Sequence, residues 1–325
     1  MVHEMATLRR IRVAKSALGI AVSIFVVVIL ASASLYAAIV GAVGSEPEDG
    51  AITGSASVVN DASASNGKAI KFGQAATGGF QANCIDLPSA CGYPDATNTG
   101  VPAGTSLTNQ SGVINVTQNG AVIDGINLDG QIIIKADNVT IKNSRITSGD
   151  YYPIDNNGGH TGLLVEDTEI FGTSQIVTAA LSFDNYTARR LNVHGSADGL
   201  KANTNVTIED CYVHDLAVGQ TTHNDGVQTT GGNNVKIIHN TFNLSMGNVS
   251  SVIQMGNEVG PYTNWDIDNN LMDGGGWSIN ASQGDSTIVV NNNRFTRNAG
   301  YGPGGDSGMT WTNNYYDDDG SPVLN

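Results

Sequence analysis

The sequence predicts an all-β protein, a single-stranded parallel β-helix that follows an N-terminal signal or transmembrane segment. One short phrase (apolar, any, apolar, any, polar, any, any, apolar) occurs eight times between Val139 and Tyr316. Its last apolar residue, here called the anchor, recurs at intervals of 18 to 30 residues. Repeats of this length with strand periodicity are typical of a solenoid. The anchors, with that of a weaker ninth copy first, are Leu128, Ile146, Ile170, Val193, Val213, Phe242, Met272, Phe295 and Tyr316.

Each copy begins with a strand whose two apolar residues are two positions apart, so both side chains face the same side. Stacking the copies should give two continuous inward columns, and parallel strands joined by crossovers are expected to wind right-handed. The position two residues before the anchor is asparagine in the last four anchored copies. We expect these asparagines to adopt the left-handed conformation of a tight corner and to hydrogen-bond from rung to rung. They are Asn240, Asn270, Asn293 and Asn314.

The sequence predicts an export segment at the N-terminus. Residues 17–43 are uncharged, residues 1–16 before them are basic, and acidic residues follow. The apolar run is long enough to span a membrane, yet Ala31-Ser-Ala33 is a candidate cleavage site, so anchor and signal peptide both remain open. The charge asymmetry predicts that residues 1–16 are cytoplasmic and the rest extracellular or at the cell surface. Residues 44–93 are predicted to be a linker and N-terminal cap, and residues 94–325 the β-helix.

Composition limits the partners. The net charge is −15 with 14% charged residues, which argues against nucleic acid, because nucleic acid is bound through Lys and Arg. An anionic partner would need a metal or a local basic patch. Cys84 and Cys91 are candidates for closing a small loop, and Cys211 is expected to be a buried, inert thiol. We expect a monomer.

The two longest intervals, 29 and 30 residues, lie between Val213 and Met272 and should form loops on a rigid scaffold, where binding sites concentrate. A second strand lies between the repeats, and neighbouring rungs stand roughly 4.8 Å apart. Asp198 and Asp225 occupy equivalent positions, so their carboxylates should be neighbours, with His223 just upstream of Asp225. The predicted outward column of this strand reads Asp155, Ser182, Lys201, Gln228, Gln254 and Ser278.

Further candidates for substrate binding are Arg189, Arg190, His194 and Trp277. One of the two arginines must face outward and suits an acidic sugar, although a salt bridge to a nearby Asp or Glu is an equal alternative. His194 should stack on His214, which suits a surface ladder. Trp277 is either a core residue or part of a sugar platform.

The rung phrase, together with Ala197-Asp-Gly-Leu-Lys201 and Asn224-Asp-Gly-Val-Gln228, resembles the pectate-lyase-like superfamily of right-handed parallel β-helices over about residues 94–325. The resemblance implies that Asp198 and Asp225 bind Ca²⁺ and that Lys201 removes a proton from the substrate. His223 and Asp225 complete the candidate catalytic set, and Gln228 and Gln254 are candidate substrate ligands. Gln228 stands where those lyases would be expected to carry another carboxylate.

Three functions follow from these expectations. The first is an exported, metal-assisted lyase acting on an acidic polysaccharide, in which Ca²⁺ neutralises the uronate carboxylate. The second is a non-catalytic surface protein that binds glycan or serves adhesion. The third is an inverting glycosidase that uses Asp198 and Asp225, although a rung spacing of roughly 4.8 Å is shorter than the roughly 6.5–9.5 Å between carboxylates that this mechanism needs. The expected partner is a polysaccharide or cell-surface glycan in each case.

Overall fold

The structure is a computed structural model that describes residues 57–60, 68–71, 80–156, 158–219, 223–245, 247–306 and 308–324. The chain divides into two compact units, residues 1–76 and 77–325. In the first unit, β1 (Ser57–Asn60) and β2 (Lys68–Lys71) pair antiparallel. The predicted segments 1–16 and 17–43 lie outside the described residues, and no helix within the described ranges has the length and apolarity to cross a membrane.

The second unit is all-β and contains two long parallel sheets. The nine-stranded sheet consists of β4 (Val122–Asp124), β6 (Thr140–Lys142), β9 (Leu163–Glu166), β12 (Tyr186–Arg189), β15 (Val206–Glu209), β18 (Gly232–Ile238), β21 (Tyr262–Asp268), β24 (Ile288–Asn291) and β27 (Thr310–Thr312).

The seventeen-stranded sheet consists of β3 (Thr108–Val116), β5 (Ile126–Ile134), β7 (Arg145–Ser148), β8 (Ile154–Asp155), β10 (Glu169–Gly172), β11 (Ala179–Ser182), β13 (Asn192–His194), β14 (Asp198–Lys201), β16 (Tyr212–His214), β17 (Asp225–Thr229), β19 (Thr241–Leu244), β20 (Ser251–Met255), β22 (Leu271–Gly274), β23 (Trp277–Ala281), β25 (Arg294–Phe295), β26 (Gly302–Gly304) and β28 (Tyr315–Tyr316). A typical rung gives one strand to the nine-stranded sheet and two to this one, which fits a parallel β solenoid.

Strand pairing confirms the register predicted from the repeat. Tyr186 pairs with Val206, and Val206 with Val235, in the first inward column. The anchors Val193 and Val213 also pair. These side chains are buried in one apolar cluster that extends through the rungs. The residues that the two-residue periodicity predicted to face inward are therefore the residues that form the core.

The asparagine ladder is confirmed, but its backbone conformation differs from the prediction. Asn240 Nδ2 donates to Asn270 Oδ1, and Asn270 Nδ2 donates to Asn293 Oδ1, each at 2.9 Å. The left-handed residue is the one before each ladder asparagine, for example Asn269 with φ 54° and Asn292 with φ 56°. The corner is thus made by one residue, and the next residue turns its amide inward to bridge the rungs.

A disulfide-bonded segment precedes the rungs. Two short 3₁₀ helices, Cys84–Asp86 and Pro88–Cys91, are joined by the disulfide between Cys84 and Cys91. The third cysteine, Cys211, is buried as predicted, and burial raises the pKa of its thiol to about 12. A thiol with this pKa is almost entirely protonated at neutral pH, which is consistent with an inert core residue.

The same segment lies along the side of the solenoid. The Asn83 N–H donates to the Asp317 carbonyl (2.7 Å), next to the last rung. Further along the chain, the Gly100 N–H donates to the Arg190 carbonyl (2.8 Å), in the rung of β12. Residues 80–93, part of the predicted linker and cap, therefore contact the rungs from outside.

Candidate functional site

The predicted neighbours Asp198 and Asp225 lie on adjacent strands, β14 and β17. The backbone N–H of Asp225 donates to Asp198 Oδ1 at 2.9 Å. In the same strand pair, Lys201 lies in register with Gln228. These four residues, Asp198, Lys201, Asp225 and Gln228, are called the rung cluster below.

Lys201 is the centre of the rung cluster. Its ammonium Nζ donates to Asp198 Oδ2 at 2.5 Å and also contacts Gln228 Oε1. Lys201 is in the predicted column, in register with Gln228, but it is covered rather than exposed: its exposed fraction is 7%, and all four residues of β14 are buried. Strict alternation would place residues 198 and 201 on opposite faces, so their contact shows that β14 departs from it.

Asp225 is fully buried, and neither carboxylate oxygen has a hydrogen-bond partner among the described residues. Burial is the largest cause that raises the pKa of Asp225, to about 8, and the neighbouring Asp198 raises it further. Lys201 and the backbone N–H of Ser251 lower this pKa, although the Ser251 contact lacks good hydrogen-bond geometry. Asp225 therefore holds its proton at neutral pH. Burial also raises the pKa of Asp198, against the opposing effect of Lys201.

The rung cluster does not fit the calcium site that the resemblance implies. Ca²⁺ takes six to eight oxygen ligands, whereas both oxygens of Asp198 already accept bonds, from Lys201 and from the Asp225 N–H. The ammonium of Lys201 also lies between Asp198 and Gln228, and a cation repels a second cation. Among the described residues, no group of three or more His, Cys, Asp or Glu side chains could hold a metal.

Two other predicted residues lie around this cluster. His223 is exposed, with Nδ1 3.4 Å from Ser250 Oγ. Gln254 Oε1 accepts hydrogen bonds from Ser251 Oγ (3.0 Å) and Asn280 Nδ2 (2.8 Å).

In the predicted outward column, the residue that follows Gln254 is Asn280 rather than Ser278. Gln254 pairs with Asn280 because the core residues Ile253 and Ile279 set the register of β20 and β23. Ser278 is fully buried instead.

The two arginines lie at the end of β12, in the other sheet, and are used in ion pairs. Arg189 Nε lies 2.5 Å from Glu209 Oε1, and Arg190 Nε lies 2.7 Å from Asp167 Oδ1. Each guanidinium also approaches Glu166. The salt-bridge alternative is therefore present, and these cations are already balanced by carboxylates.

His194 belongs to a surface ladder. Its ring stacks on His214 with centroids 5.0 Å apart and on Phe171 with centroids 4.8 Å apart. Nε2 of His194 lies 3.3 Å from Glu169 Oε1. The predicted stacking of His194 and His214 is confirmed, and it places neither ring in the rung cluster.

Trp277 forms an aromatic pair that the sequence did not indicate. Its ring centroid lies 5.4 Å from that of Tyr301, which is 75% exposed. Trp277 also pairs with Ser251, which pairs with Asp225. The pair is consequently two rungs from Asp225.

A polar groove that the sequence did not identify lies on the outer face of the nine-stranded sheet, with a volume of about 670 Å³. Its floor includes the middle residues of the V-x-I strands, which alternation points outward, and that alternation is the signal that could have found it. One edge is a second asparagine ladder, in which Asn205 Nδ2 donates to Asn185 Oδ1 (3.0 Å). The lining residues are Thr161, Gly162, Leu163, Leu164, Asn185, Tyr186, Thr187, Arg189, Asn205, Thr207, Asn234 and Lys236.

No protein-family model, curated protein or solved structure matches this chain. The likeness to the pectate-lyase-like superfamily therefore rests on the rung phrase and the two Asp-Gly segments.

Proposed function

We propose that this chain is an exported, non-catalytic glycan-binding protein, a right-handed parallel β-helix of the pectate-lyase-like type. The glycan lies in the groove on the nine-stranded sheet. The observation that carries this proposal is the groove itself, an open polar depression of about 670 Å³ that crosses several rungs.

The groove offers the groups that sugars need. Thr187 and Thr207 are in register on neighbouring strands and present hydroxyl groups, and the asparagine ladder presents amides that both donate and accept. These groups repeat at the rung spacing, roughly 4.8 Å. A repeating array of this kind suits a polymer of similar units better than a single small molecule.

The charges around the groove favour a neutral glycan over the acidic one expected from the resemblance. Arg189 lines the groove, and its positive charge is neutralised by ion pairs with Glu166 and Glu209. Lys236 is exposed, but its register partner on the next strand is Asp266. With a net charge of −15, the chain has no surplus of positive charge to attract a polyanion.

Burial argues against both enzymatic alternatives. A lyase or glycosidase needs its substrate within hydrogen-bond reach of the catalytic groups. Asp198, Lys201 and Asp225 are 4%, 7% and 0% exposed. Lys201 is also bound by two acceptors rather than free to take a proton.

Binding to neutral and acidic polysaccharides tests the proposal, with Thr207→Tyr as the variant. Tyrosine fills the groove and suits a strand, so the fold should persist. We expect Thr207→Tyr to weaken binding at least about tenfold, equivalent to about 1.4 kcal/mol. The matched control is Thr310→Tyr, at an exposed strand position outside the groove lining, which should bind normally.

Further arms of the same experiment separate the alternatives. Loss of binding in Tyr301→Ala, with Thr207→Tyr unaffected, would move the site to the aromatic pair. Unsaturated sugar ends that disappear with a chelator would establish the lyase, and new reducing ends alone would establish a hydrolase. Either product, or equal binding by Thr207→Tyr and Thr310→Tyr, would contradict the groove proposal.

A further inference from the structure

The rung cluster holds a primary amine against a carboxamide. Lys201 Nζ contacts Gln228 Oε1, and the parallel pairing of β14 with β17 keeps the two residues in register. Only 9% of the Lys201 side chain is exposed, whereas Gln228 is half-buried. Two groups held together by the strand register are arranged for an intramolecular reaction.

We propose that Lys201 and Gln228 become joined by an isopeptide bond between neighbouring rungs, formed by the folded chain itself with release of ammonia. Nζ of Lys201 attacks Cδ of Gln228, so a carbon–nitrogen bond forms there. The bond between Cδ and Nε2 of Gln228 breaks, and Nε2 leaves as ammonia. The product is a secondary amide, and the reaction needs no oxidant, reductant or cofactor. This proposal does not depend on glycan binding.

Two protons must leave the lysine nitrogen. Asp198 Oδ2, 2.5 Å from Nζ, takes the first and keeps it. Asp225 donates its own proton to the leaving nitrogen and recovers the second lysine proton. The reaction thereby converts a buried ion pair into neutral groups, which removes the desolvation cost of the two buried charges.

Asp225 is the second acid beside the reacting pair. Its backbone N–H donates to Asp198 Oδ1 at 2.9 Å, and it precedes Gln228 by three residues. Its carboxylate must turn toward Gln228 for the proton transfer, because it hydrogen-bonds to neither Lys201 nor Gln228. Asp225 is fully buried, and no described residue hydrogen-bonds its carboxylate oxygens. Buried polar groups are nearly always satisfied by a partner, so an unsatisfied acid calls for a chemical explanation.

The side chain of Gln228 is a better target for attack by the lysine nitrogen than the side chain of Asp198. A bond from Lys201 to Asp198 would release water and join residues three apart in one strand, and it would consume the base. A bond to Gln228 joins two rungs across 27 residues. Each rung of a solenoid is stabilised mainly by its neighbours, and the disulfide found in the described residues joins Cys84 to Cys91 before the first rung. The isopeptide bond would supply a covalent tie within the stack.

Peptide mapping of the full-length protein tests the proposal. The exported protein is denatured, reduced and digested, and its peptides are identified by mass spectrometry. We expect a branched peptide that joins Lys201 to Gln228 and has lost one ammonia. Separate, unmodified peptides for the two residues would overturn the proposal, as would a single peptide that contains both Asp198 and Lys201 and has lost one water.

Three variants test the assignment of roles. Lys201→Arg keeps the positive charge and should yield no branched peptide. Asp225→Asn keeps the shape of the acid and should slow linkage about a hundredfold, within the range of general acid–base catalysis, with circular dichroism confirming the fold. Gln254→Ala changes the next residue of the same column and should leave linkage complete. Full linkage in Asp225→Asn would overturn the proton path, and the peptide map of the unaltered protein decides the bond itself even where a variant fails to fold.

Discussion

Replacing Asn270 with alanine tests how much the solenoid depends on its buried amide ladder. Asn270 is fully buried and lies in the middle of the ladder. Its Nδ2 donates to the Ile237 carbonyl (2.8 Å) and to Asn293 Oδ1 (2.9 Å). Its Oδ1 accepts from the backbone N–H and from the Nδ2 of Asn240, each at 2.9 Å.

The expected loss follows from the groups left without partners. Alanine removes the amide, leaves the buried Asn240 N–H without its partner and removes one hydrogen bond from the Ile237 carbonyl. An orphaned buried group costs roughly 1–3 kcal/mol and a lost hydrogen bond about 1 kcal/mol, so together they predict a loss of about 3 kcal/mol in the free energy of unfolding. A domain has a total stability of only about 5–15 kcal/mol, so this change should be large and easily measured.

Urea denaturation followed by circular dichroism measures the effect. The control is Asn127→Ala, which removes an exposed amide that bonds to Asn109 Oδ1 at 2.8 Å, and it should change stability by no more than about 0.5 kcal/mol. A loss below about 1 kcal/mol for Asn270→Ala, or one equal to that of the control, would refute the idea that the ladder holds the rungs together.

Three further outcomes follow from the structure. Gly199→Ala would place Cβ 2.3 Å from a carbonyl oxygen of the next rung and should lower the melting temperature markedly, whereas Gly247→Ala has open space and should not. The folded pKa of Asp225, about 8, exceeds its ordinary 3.8, so the folded state binds this proton more tightly. Stability should therefore fall as pH rises from about 4 to 8, and Asp225→Asn should flatten that slope in denaturation measured across this range. Reducing the disulfide between Cys84 and Cys91 should destabilise their short loop by about 2.5 kcal/mol, seen as faster amide exchange there, and unchanged exchange would contradict this.

The repeat predicted the core because strand periodicity alone decides which residues face inward. Val206 and Ile208 could be assigned to the core without knowing which elements lie beside them. Their pairing with Val235 and Ile237 follows from the shared phrase. The proximity of Asp198 and Asp225 was predictable for the same reason, since equivalent positions on adjacent rungs must meet.

Departures from the repeat were not predictable from periodicity. Lys201 occupies a nominally outward position, yet β14 is buried at every residue. Gly199 has no side chain, and a Cβ there would also lie 2.7 Å from Val213 Cγ1, so neighbouring chain packs closely at this point. A one-dimensional pattern carries no signal for either the close approach at Gly199 or the burial of Lys201.

Asp198 and Lys201 are buried, with exposed fractions of 4% and 7%, which limits the access of a polymer to them. Our two proposals therefore assign chemistry within the chain to the rung cluster and recognition of partners to outward residues such as Thr207. The two proposals can therefore be refuted independently. Lys201→Arg should lose the isopeptide bond and keep glycan binding, whereas Thr207→Tyr should keep the isopeptide bond and lose glycan binding. A folded variant of either kind that loses both properties would contradict the independence of the two proposals.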